Sequence, residues 1–237
     1  MLKVKKAGIL CAGDDEFAPF LSQIDECKVS EKAMLKFYEG KIGGVDVVVL
    51  FSGVGKVNAA IAAELLIEVY GVDAVINAGC AGGMDSRLHI FDTVISTEIA
   101  YHDVAEDILT EFHPWMESIY FQADSRLLEL SREAISKLKM KDKVFWGRMV
   151  TGEAFIVDED RQRIMDIYAP LTVDMETAAI AHVCYVNHIP FIAVRCITDT
   201  AEHSGVERFE ENCQKASGIA RDITAALLEE MKGNGIR

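Results

Sequence analysis

The sequence contains six cysteines but no CxxC pair, and its six histidines include no HxxxH or HExxH spacing. Those spacings are the usual signatures of zinc sites, so we predict that the protein holds no metal ion. Four of the cysteines, at 11, 80, 184 and 196, lie in runs of apolar or small residues. We therefore interpret the cysteines as reduced, mostly buried thiols, which are typical of a cytoplasmic protein.

Long apolar runs are also missing. No stretch approaches the roughly 18 uninterrupted apolar residues that a membrane span needs, and residues 1–6 do not begin a signal peptide. Positive charge is scarce as well, with 24 basic against 38 acidic residues and a net charge of -14. This balance makes nucleic acid or an anionic membrane an unfavourable partner. We expect a cytoplasmic protein that binds neither.

What the sequence does contain is an alternation of short apolar runs and helical patterns. Half of the 237 residues are apolar, which is enough to bury one sizeable core, and repeats or low-complexity linkers are absent. The patterns predict strands at 7–12, 45–51, 73–77, 91–97, 144–150, 171–173 and 190–197, and helices at 56–70, 175–187 and 209–231. We predict a single α/β domain over residues 1–237, with three α/β/α layers around a mixed, largely parallel central sheet.

Polar residues and glycines interrupt the chain just after several predicted strands. Ligands of such sheets bind beyond the carboxyl ends of the strands, so we expect these interruptions to lie together. They are Glu16, residues 52–55, residues 79–83, Phe155, Glu176 and Asp199. Their shared position is the main indication of a binding site that the residues themselves offer.

Acidic residues among and beside these strand-end residues indicate the chemistry of the site. Asp199 follows a buried strand, where desolvation raises the pKa of a carboxyl group and suits it to donate a proton, although it could instead cap a turn. Of Asp174 and Glu176, one is expected to cap a helix while the other enters the cleft. Glu16 ends an acidic triplet that could merely favour a helix N-terminus. Converging carboxylates without metal ligands suit glycosidic cleavage through an oxocarbenium-like transition state.

The glycine turns indicate close approach of backbone to a ligand more than phosphate binding. Gly53-Val54-Gly55 lacks the third glycine of a dinucleotide fingerprint and the hydroxyl residue of a Walker A loop. We interpret it as a tight turn against which a small ligand could lie. Residues 79–83 are either a turn that needs positive φ or backbone that a flat base can approach. We do not expect Cys80 within them to be a nucleophile, because no paired histidine is evident.

Ordered motifs run along nearly the whole chain. They are AGDDE at 12–16, SGVGKV at 52–57, NAGCAGG at 77–83, YHD at 101–103, TGEAF at 151–155, DMETAAIA at 174–181 and VRCITD at 194–199. This set resembles that of the bacterial methylthioadenosine/adenosylhomocysteine nucleosidases, and the glycine turns are shared with the wider nucleoside phosphorylase family. The resemblance implies a nucleoside phosphorylase-like fold, a homodimer and no cofactor.

The resemblance also implies an activity. The enzyme would use water to cleave the N-glycosidic bond of methylthioadenosine, adenosylhomocysteine or a related 5′-modified adenine nucleoside, and it would release adenine. Asp199 would hydrogen-bond adenine and protonate its N7, and Glu16 would position and activate the water. Glu176 would hold the ribose hydroxyls, with Met175 packed under the sugar.

The rest of the substrate pocket follows from the same resemblance. Phe155 would stack on the base and Ile156 would bind its edge through backbone, while Arg195 and Thr198 would orient the acid. The remaining pocket residues would be Val54, Ala81, Gly82 and Phe209. Related phosphorylases hold phosphate with arginines near the first strand end and the glycine turns. A phosphate pocket beside Glu16 would be electrostatically poor, which favours water.

Two places depart from the family pattern. Gly13 stands where the family often has methionine. After YHD the family usually has an aromatic, glycine-rich segment that closes over the 5′ substituent across the dimer, whereas residues 104–116 read VAEDILTEFHPWM. We hypothesise that this acidic loop tolerates a small 5′ group better than a homocysteine tail, and that Phe112, Trp115 and Met116 suit an interface. A nucleosidase for 5′-deoxyadenosine or futalosine-type compounds, a phosphorylase and a nucleoside-binding sensor remain alternatives.

Overall fold

The computed structural model describes residues 4–140, 143–156, 158–201 and 206–235. The strands in these residues are β1 (Lys6–Cys11), β2 (Asp25–Lys32), β3 (Leu35–Ile42), β4 (Val45–Phe51), β5 (Ala74–Gly83), β6 (Thr93–Tyr101), β7 (Phe121–Gln122), β8 (Val144–Thr151), β9 (Thr172–Asp174) and β10 (Phe191–Asp199). The helices are α1 (Asp14–Leu21), α2 (Lys56–Glu68), α3 (Glu106–Thr110), α4 (Ser125–Leu138), α5 (Asp158–Tyr168), α6 (Thr177–Val186) and α7 (Val206–Gly235).

The sheet has an open part and a closed part. In the open part the hydrogen-bonded order is β2–β3–β4–β1–β5. Beyond it, β5 pairs with both β10 and β9, so that the path β5–β10–β6–β8–β9 returns to β5 as a ring. The pairs around β1 and most of those in the ring are parallel, whereas the β2–β3–β4 edge is antiparallel. The predicted mixed sheet of an α/β fold is therefore confirmed. The closure of one part of the sheet into a ring is not among the features that the sequence predicts.

Helices cover both faces of the open part. In β1, Ala7, Ile9 and Cys11 pack into one core with residues of α1, α4 and α7. Leu10 packs into a second core with residues of α2 and α6. Because neighbouring side chains of a strand point to opposite faces, burial on both faces requires an unbroken apolar run. This arrangement confirms the predicted three layers.

A third and smaller core lies under the connection between β8 and α5. Val150 of β8, Ile156 of the connection and Ile164 of α5 pack there against Met84 and Val173. This core fixes one side of the loop that follows β8. The loop contains Phe155, which the sequence analysis places in the substrate pocket.

The hairpin formed by β2 and β3 is absent from the strands that the sequence predicts. Every residue of β2 is exposed, and its sequence, DECKVSEK, contains no apolar alternation. A charged edge strand of this kind is held by its backbone hydrogen bonds to β3 and resists pairing with other chains. The predicted helix at 175–187 begins later, at Thr177, directly after Glu176.

Within the described residues, the helices are all too short or too polar to cross a membrane.

Candidate active site

One cavity of about 360 Å³ opens where β1, β4, β5, β8, β9 and β10 end. Its wall is formed by Ala12, Gly13, Asp14, Asp15, Glu16, Val54, Cys80, Ala81, Gly82, Ala154, Phe155, Ile156, Val173, Asp174, Met175, Glu176, Arg195, Asp199, Phe209 and Cys213. The structure thus brings together all of the predicted site residues except Thr198, which lies directly behind Asp199. This convergence agrees with the rule that ligands bind beyond the carboxyl ends of parallel strands.

The Glu16 carboxylate is held in place by backbone. Glu16 lies in the first turn of α1, and its side chain turns back so that Oε2 accepts hydrogen bonds from the N–H groups of Ala12 at 2.6 Å and Gly13 at 3.3 Å. Oε1 accepts a third, from the N–H of Cys80 at 2.6 Å. A Cβ atom on Gly79 would lie 2.3 Å from Oε1, so only glycine leaves room for this carboxylate. Asp14 and Asp15 are exposed at the rim.

Arg195 lies at the centre of a buried group of three carboxylates. Its Nη2 donates to Glu176 Oε2 at 3.3 Å, its Nε lies 3.3 Å from Asp174 Oδ2, and its Nη1 lies 4.0 Å from Glu16 Oε1. Only 2% of the arginine side chain is exposed. A charge this deeply buried needs partners, and these carboxylates in turn fix the position of the guanidinium.

Asp174 caps a helix, as expected of one of the two carboxylates, although both Asp174 and Glu176 border the cavity. Asp174 Oδ1 accepts hydrogen bonds from the N–H groups of Glu176 at 3.2 Å and Thr177 at 3.1 Å, and thereby caps α6. Glu176 lines the cavity, and its Oε1 accepts from the N–H of Gly55 at 3.0 Å. Burial raises the pKa of Glu176 to about 7, against the opposing charge of Arg195.

Asp199 enters the cavity from the last position of β10. The register between β10 and β5 shifts between Ile197 and Asp199, and such a bulge changes the direction of a side chain. The hydroxyl of Thr198 lies 3.0 Å from Asp199 Oδ1 and 3.4 Å from the carbonyl oxygen of Ala81. Burial raises the pKa of Asp199, and the hydrogen bond from Thr198 offsets this only in part. The direction agrees with the sequence-based expectation for a proton donor.

Several other residues of the cavity wall are apolar, and two of them are well exposed. Phe155 and Val54 are 36% and 58% exposed, whereas Ile156 is buried and Phe209 is half-buried. Met175 lies between the two carboxylates at the start of α6 and also lines the cavity. Phe155, Ile156 and Phe209 thus offer apolar surface against which a flat aromatic ligand can pack, in the same cavity as Asp199.

An ion-pair network lies beside the loop that carries Phe155. Lys56 Nζ lies 2.8 Å from Asp103 Oδ2 and 3.6 Å from a carboxylate oxygen of Glu153. Asp103 also accepts a hydrogen bond from the N–H of Glu153 at 2.8 Å. The YHD motif therefore supports the loop after β8 from outside the cavity.

Sequence reasoning misses two features near the cavity. Arg161 of α5 is buried, donates to the carbonyl oxygen of Gly83 at 2.6 Å and exerts a charge that lowers the pKa of Asp199. Its segment, DEDRQR, looks like an exposed charged helix, so no local signal identifies it. Cys213 is one helical turn beyond Phe209 on α7, and this spacing could have placed it on the same wall.

Among the residues that the structure describes, no group of three or more histidine, cysteine, aspartate or glutamate side chains could hold a metal ion. The site's own groups are a buried acid, Asp199, and carboxylates organised around Arg195. Such a set can donate a proton to a leaving group and stabilise a cationic centre beside it.

The chain matches the family model of the phosphorylase superfamily over residues 6–229, and it belongs to this superfamily. Within it, the resemblance to methylthioadenosine/adenosylhomocysteine nucleosidases is confirmed by solved structures. The Neisseria meningitidis nucleosidase in complex with methylthio-immucillin-A is 29% identical, with 95% of this chain and 99% of that chain covered and a TM-score of 0.87. The Colwellia psychrerythraea nucleosidase in complex with adenine is 31% identical, with 97% of each chain covered and a TM-score of 0.86.

The futalosine hydrolase of Helicobacter pylori has the same fold. It is 24% identical, with 96% of this chain and 98% of that chain covered and a TM-score of 0.87. At this identity the likeness concerns the fold alone. The fold is thus shared with a hydrolase that is named for another substrate.

Proposed function

We propose that this protein hydrolyses the N-glycosidic bond of methylthioadenosine, adenosylhomocysteine or a closely related 5′-modified adenine nucleoside, and releases adenine. The observation that carries the proposal is the pairing, in one cavity, of a buried acid with a raised pKa, Asp199, and a carboxylate fixed by backbone, Glu16. The apolar wall beside Asp199 fits a flat base. The named nucleosidases of the same fold support the same chemistry.

In the proposed reaction, Asp199 donates its proton to N7 of adenine as the N-glycosidic bond breaks, and the electrons of that bond leave with the base. The ribosyl C1′ then carries an oxocarbenium-like positive charge. A water oxygen bonds to C1′ and gives a proton to Glu16, so that the products are adenine and the free ribose derivative. Each proton transfer of this kind contributes roughly 10²–10⁴ in rate.

Glu176 and Met175 would hold the ribose. Arg195 is expected from the resemblance to orient Asp199, but it contacts the carboxylates of Glu16, Asp174 and Glu176 instead, so it would orient Glu176. Glu176 is fixed by the N–H of Gly55 and by Arg195, and its remaining lone pairs can accept the sugar hydroxyls. Met175 would pack under the sugar, and Ala81 and Gly82 would let it approach the backbone of β5. Val54, Phe155, Ile156 and Phe209 would enclose the base and the 5′ end, while Thr198 orients Asp199.

The charges in the cavity favour water over phosphate as the nucleophile. Arg195 is the only basic side chain on the described wall, and carboxylates of Glu16, Asp174 and Glu176 surround it. A phosphate placed near Glu16 would meet like charge at short range, which is costly in a partly desolvated site. A cationic transition state would instead be stabilised there.

The preferred 5′ group is proposed to be small. Glu106, Asp107 and Glu111 are exposed on and beside α3, in the segment that in the family closes over the 5′ substituent. Like charge there would disfavour the carboxylate of a homocysteine tail. Methylthioadenosine or 5′-deoxyadenosine would then be better substrates than adenosylhomocysteine.

We further propose that the protein is a homodimer of one-domain subunits that works in the cytoplasm, with methionine salvage as its context. The apolar side chains of Val57, Phe112 and Trp115 are 68%, 59% and 66% exposed, and burying them against a second subunit would remove apolar surface from water. Met116, which the sequence analysis also assigns to an interface, is buried within the subunit instead, because it packs into the core with α2 and α6. All six cysteines are free thiols.

The test of the proposed function is adenine release in phosphate-free buffer. Methylthioadenosine, adenosylhomocysteine and 5′-deoxyadenosine are compared, each with and without added phosphate. We expect adenine release that phosphate does not accelerate, with higher kcat/KM for the two small 5′ groups. Turnover that requires phosphate would identify a phosphorylase. Tight adenosine binding without adenine release from any of the three would instead indicate a nucleoside-binding protein.

A further inference from the structure

Two thiols lie together in the cavity wall and have no part in the proposed reaction. Cys80 belongs to the end of β5 and Cys213 to α7, and both line the cavity. Their sulfur atoms are 3.9 Å apart, and the hydroxyl of Ser217 lies 3.4 Å from one and 3.7 Å from the other. No other pair of cysteine sulfurs among the described residues is in contact at this distance.

The two thiols differ in how readily they ionise. Hydrogen bonds from Cys80 and Ser217 lower the pKa of Cys213, against the opposing effect of its burial. The pKa of Cys80 is raised well above its usual value by its hydrogen bond to Cys213 and by burial. A thiolate stabilised in this way reacts with oxidants faster than a protonated thiol, and a neighbouring thiol can resolve the product.

We propose that Cys80 and Cys213 form an oxidation site in the cavity wall, where a hydroperoxide converts the two thiols into a disulfide and reversibly stops turnover. The Cys213 thiolate attacks one peroxide oxygen, the O–O bond breaks, and the departing oxygen takes up a proton to leave as water or an alcohol. Cys213 is then a sulfenic acid. The sulfur of Cys80 displaces its hydroxyl group, and the proton of the Cys80 thiol leaves with that hydroxyl as water. The thiols lose two electrons in total, and the peroxide gains them.

The disulfide would disturb groups that the proposed reaction uses. Because an S–S bond is only about 2.05 Å long, the sulfur atoms must approach by roughly 2 Å. The N–H of Cys80 donates to Glu16 at 2.6 Å, so a shift at the end of β5 moves the proposed base. Cys213 lies one turn beyond Phe209, so a shift of α7 moves the wall against which the base packs. The loss of turnover rests on the proposed function, whereas formation of the disulfide does not.

The experiment treats the whole chain with hydrogen peroxide and follows two readouts. Alkylation followed by peptide mass mapping identifies any Cys80–Cys213 linkage, and adenine release from methylthioadenosine gives the activity before and after treatment. The variants are Cys213→Ala and, as a matched control, Cys27→Ser, because Cys27 is an exposed cysteine on β2. Each protein is compared with its own untreated rate, so that a direct effect of the substitution cancels.

We expect the linkage in the unmodified chain and in Cys27→Ser, with a loss of at least about tenfold in activity that dithiothreitol restores. Cys213→Ala should lose less than about twofold under the same treatment. Saturating adenine should slow formation of the linkage, because it occupies the cavity on which both thiols border.

Three results would overturn the inference: no Cys80–Cys213 linkage at a peroxide concentration that oxidises Cys27, a linkage that leaves activity unchanged, or equal inactivation of Cys213→Ala. If the untreated protein released adenine from no nucleoside, the proposed function would fail by itself. Mass mapping would still decide whether the oxidation site exists, and adenine binding by calorimetry would replace turnover as the measure of its effect.

Discussion

β10 and β2 belong to the same sheet, yet their charged residues lie in opposite surroundings. Every residue of β10 is buried, including Arg195 and Asp199, whereas every residue of β2 is exposed, including its acidic and basic ones. The charges of β2 remain hydrated and need no protein partner. Those of β10 have lost water, so Arg195 is surrounded by three carboxylates and Asp199 has a raised pKa.

This difference shows where chemistry can be placed in the molecule. A charge in water contributes little to stability and has an ordinary affinity for protons. A charge at a buried strand end has its protonation and its position set by the surrounding protein, which is what a general acid requires. Substitutions of the same chemical kind in the two strands should therefore have very different effects.

The largest effect is expected for Asp199→Asn. The amide keeps the shape of the side chain but cannot protonate the leaving base, so kcat for methylthioadenosine should fall by about 10²–10⁴. The conservative variant Glu31→Gln, which makes the same kind of change in β2, should leave kcat unchanged. Near-native kcat in Asp199→Asn would remove the proposed acid.

Arg195→Met should have the next largest effect, on stability. Removal of one partner from a buried ion cluster leaves uncompensated carboxylates and costs about 3–5 kcal/mol in the free energy of unfolding. Urea denaturation of the variant and the parent chain measures the difference. Lys28→Met in β2 is the matched control. If Arg195→Met lowers the free energy of unfolding no more than Lys28→Met does, the buried cluster contributes little to stability.

A smaller effect should appear in the pH dependence of stability. Burial raises the pKa of Glu176 from 4.5 to about 7, so the folded state holds its proton more tightly than the unfolded chain does. Its stabilising contribution is therefore complete below pH 4.5 and is lost as the pH rises through about 7. Between pH 5 and 8, the free energy of unfolding of the parent chain should fall by on the order of 2 kcal/mol more than that of Glu176→Gln.

Asp199 contributes with the same sign in both proteins, because burial raises its pKa too, so its contribution cancels in that comparison. Urea midpoints at several pH values within this range provide the measurement. Parallel curves for the two proteins would show that Glu176 ionises as it does in water.

The smallest effect is expected in the hairpin. Glu31→Ala on β2 removes an exposed charge that has no buried partner to lose, so the free energy of unfolding should change by less than about 0.5 kcal/mol. The same urea titration applies. A change larger than about 1 kcal/mol, twice the usual limit for surface substitutions, would mean that Glu31 contributes more to stability than an exposed residue of an edge strand should.

The same contrast explains how much could be predicted from the sequence. β10 can be predicted from the sequence because burial on both faces demands an apolar run. Its position at the carboxyl end of this strand marks Asp199 as a candidate site residue. β2 cannot be predicted in this way, because its exposed residues show no hydrophobic pattern. Its pairing with β3 rests on backbone hydrogen bonds. A strand is thus easier to predict from the local sequence when more of its side chains are buried in the core.

The contacts of the site were harder to predict than its members. Glu16, Glu176 and Asp199 follow strand ends, so their convergence could be expected. Asp174 pairs with Arg195 and also caps α6. The ion pair depends on the pairing of β9 with β5, which is a contact between segments that are distant in the sequence. Arg161 donates to the carbonyl oxygen of Gly83 from a helix whose sequence looks solvent-exposed. Arg161 is buried because this helix packs against the third, small core.

The closure of the sheet on β5 has a consequence for how such a pocket can change over evolutionary time. β5 is hydrogen-bonded to β1, β9 and β10, and two of the residues that line the cavity, Ala81 and Gly82, lie within those pairings. The floor of the pocket is thus the joint that holds the two parts of the sheet together, and few substitutions there can be tolerated. Under the proposed function, new preferences for the 5′ group would have to arise in the exposed loops of the rim, where Val54 and Phe155 lie. The fold thus constrains the floor of the pocket, while the loops of its rim remain free to change.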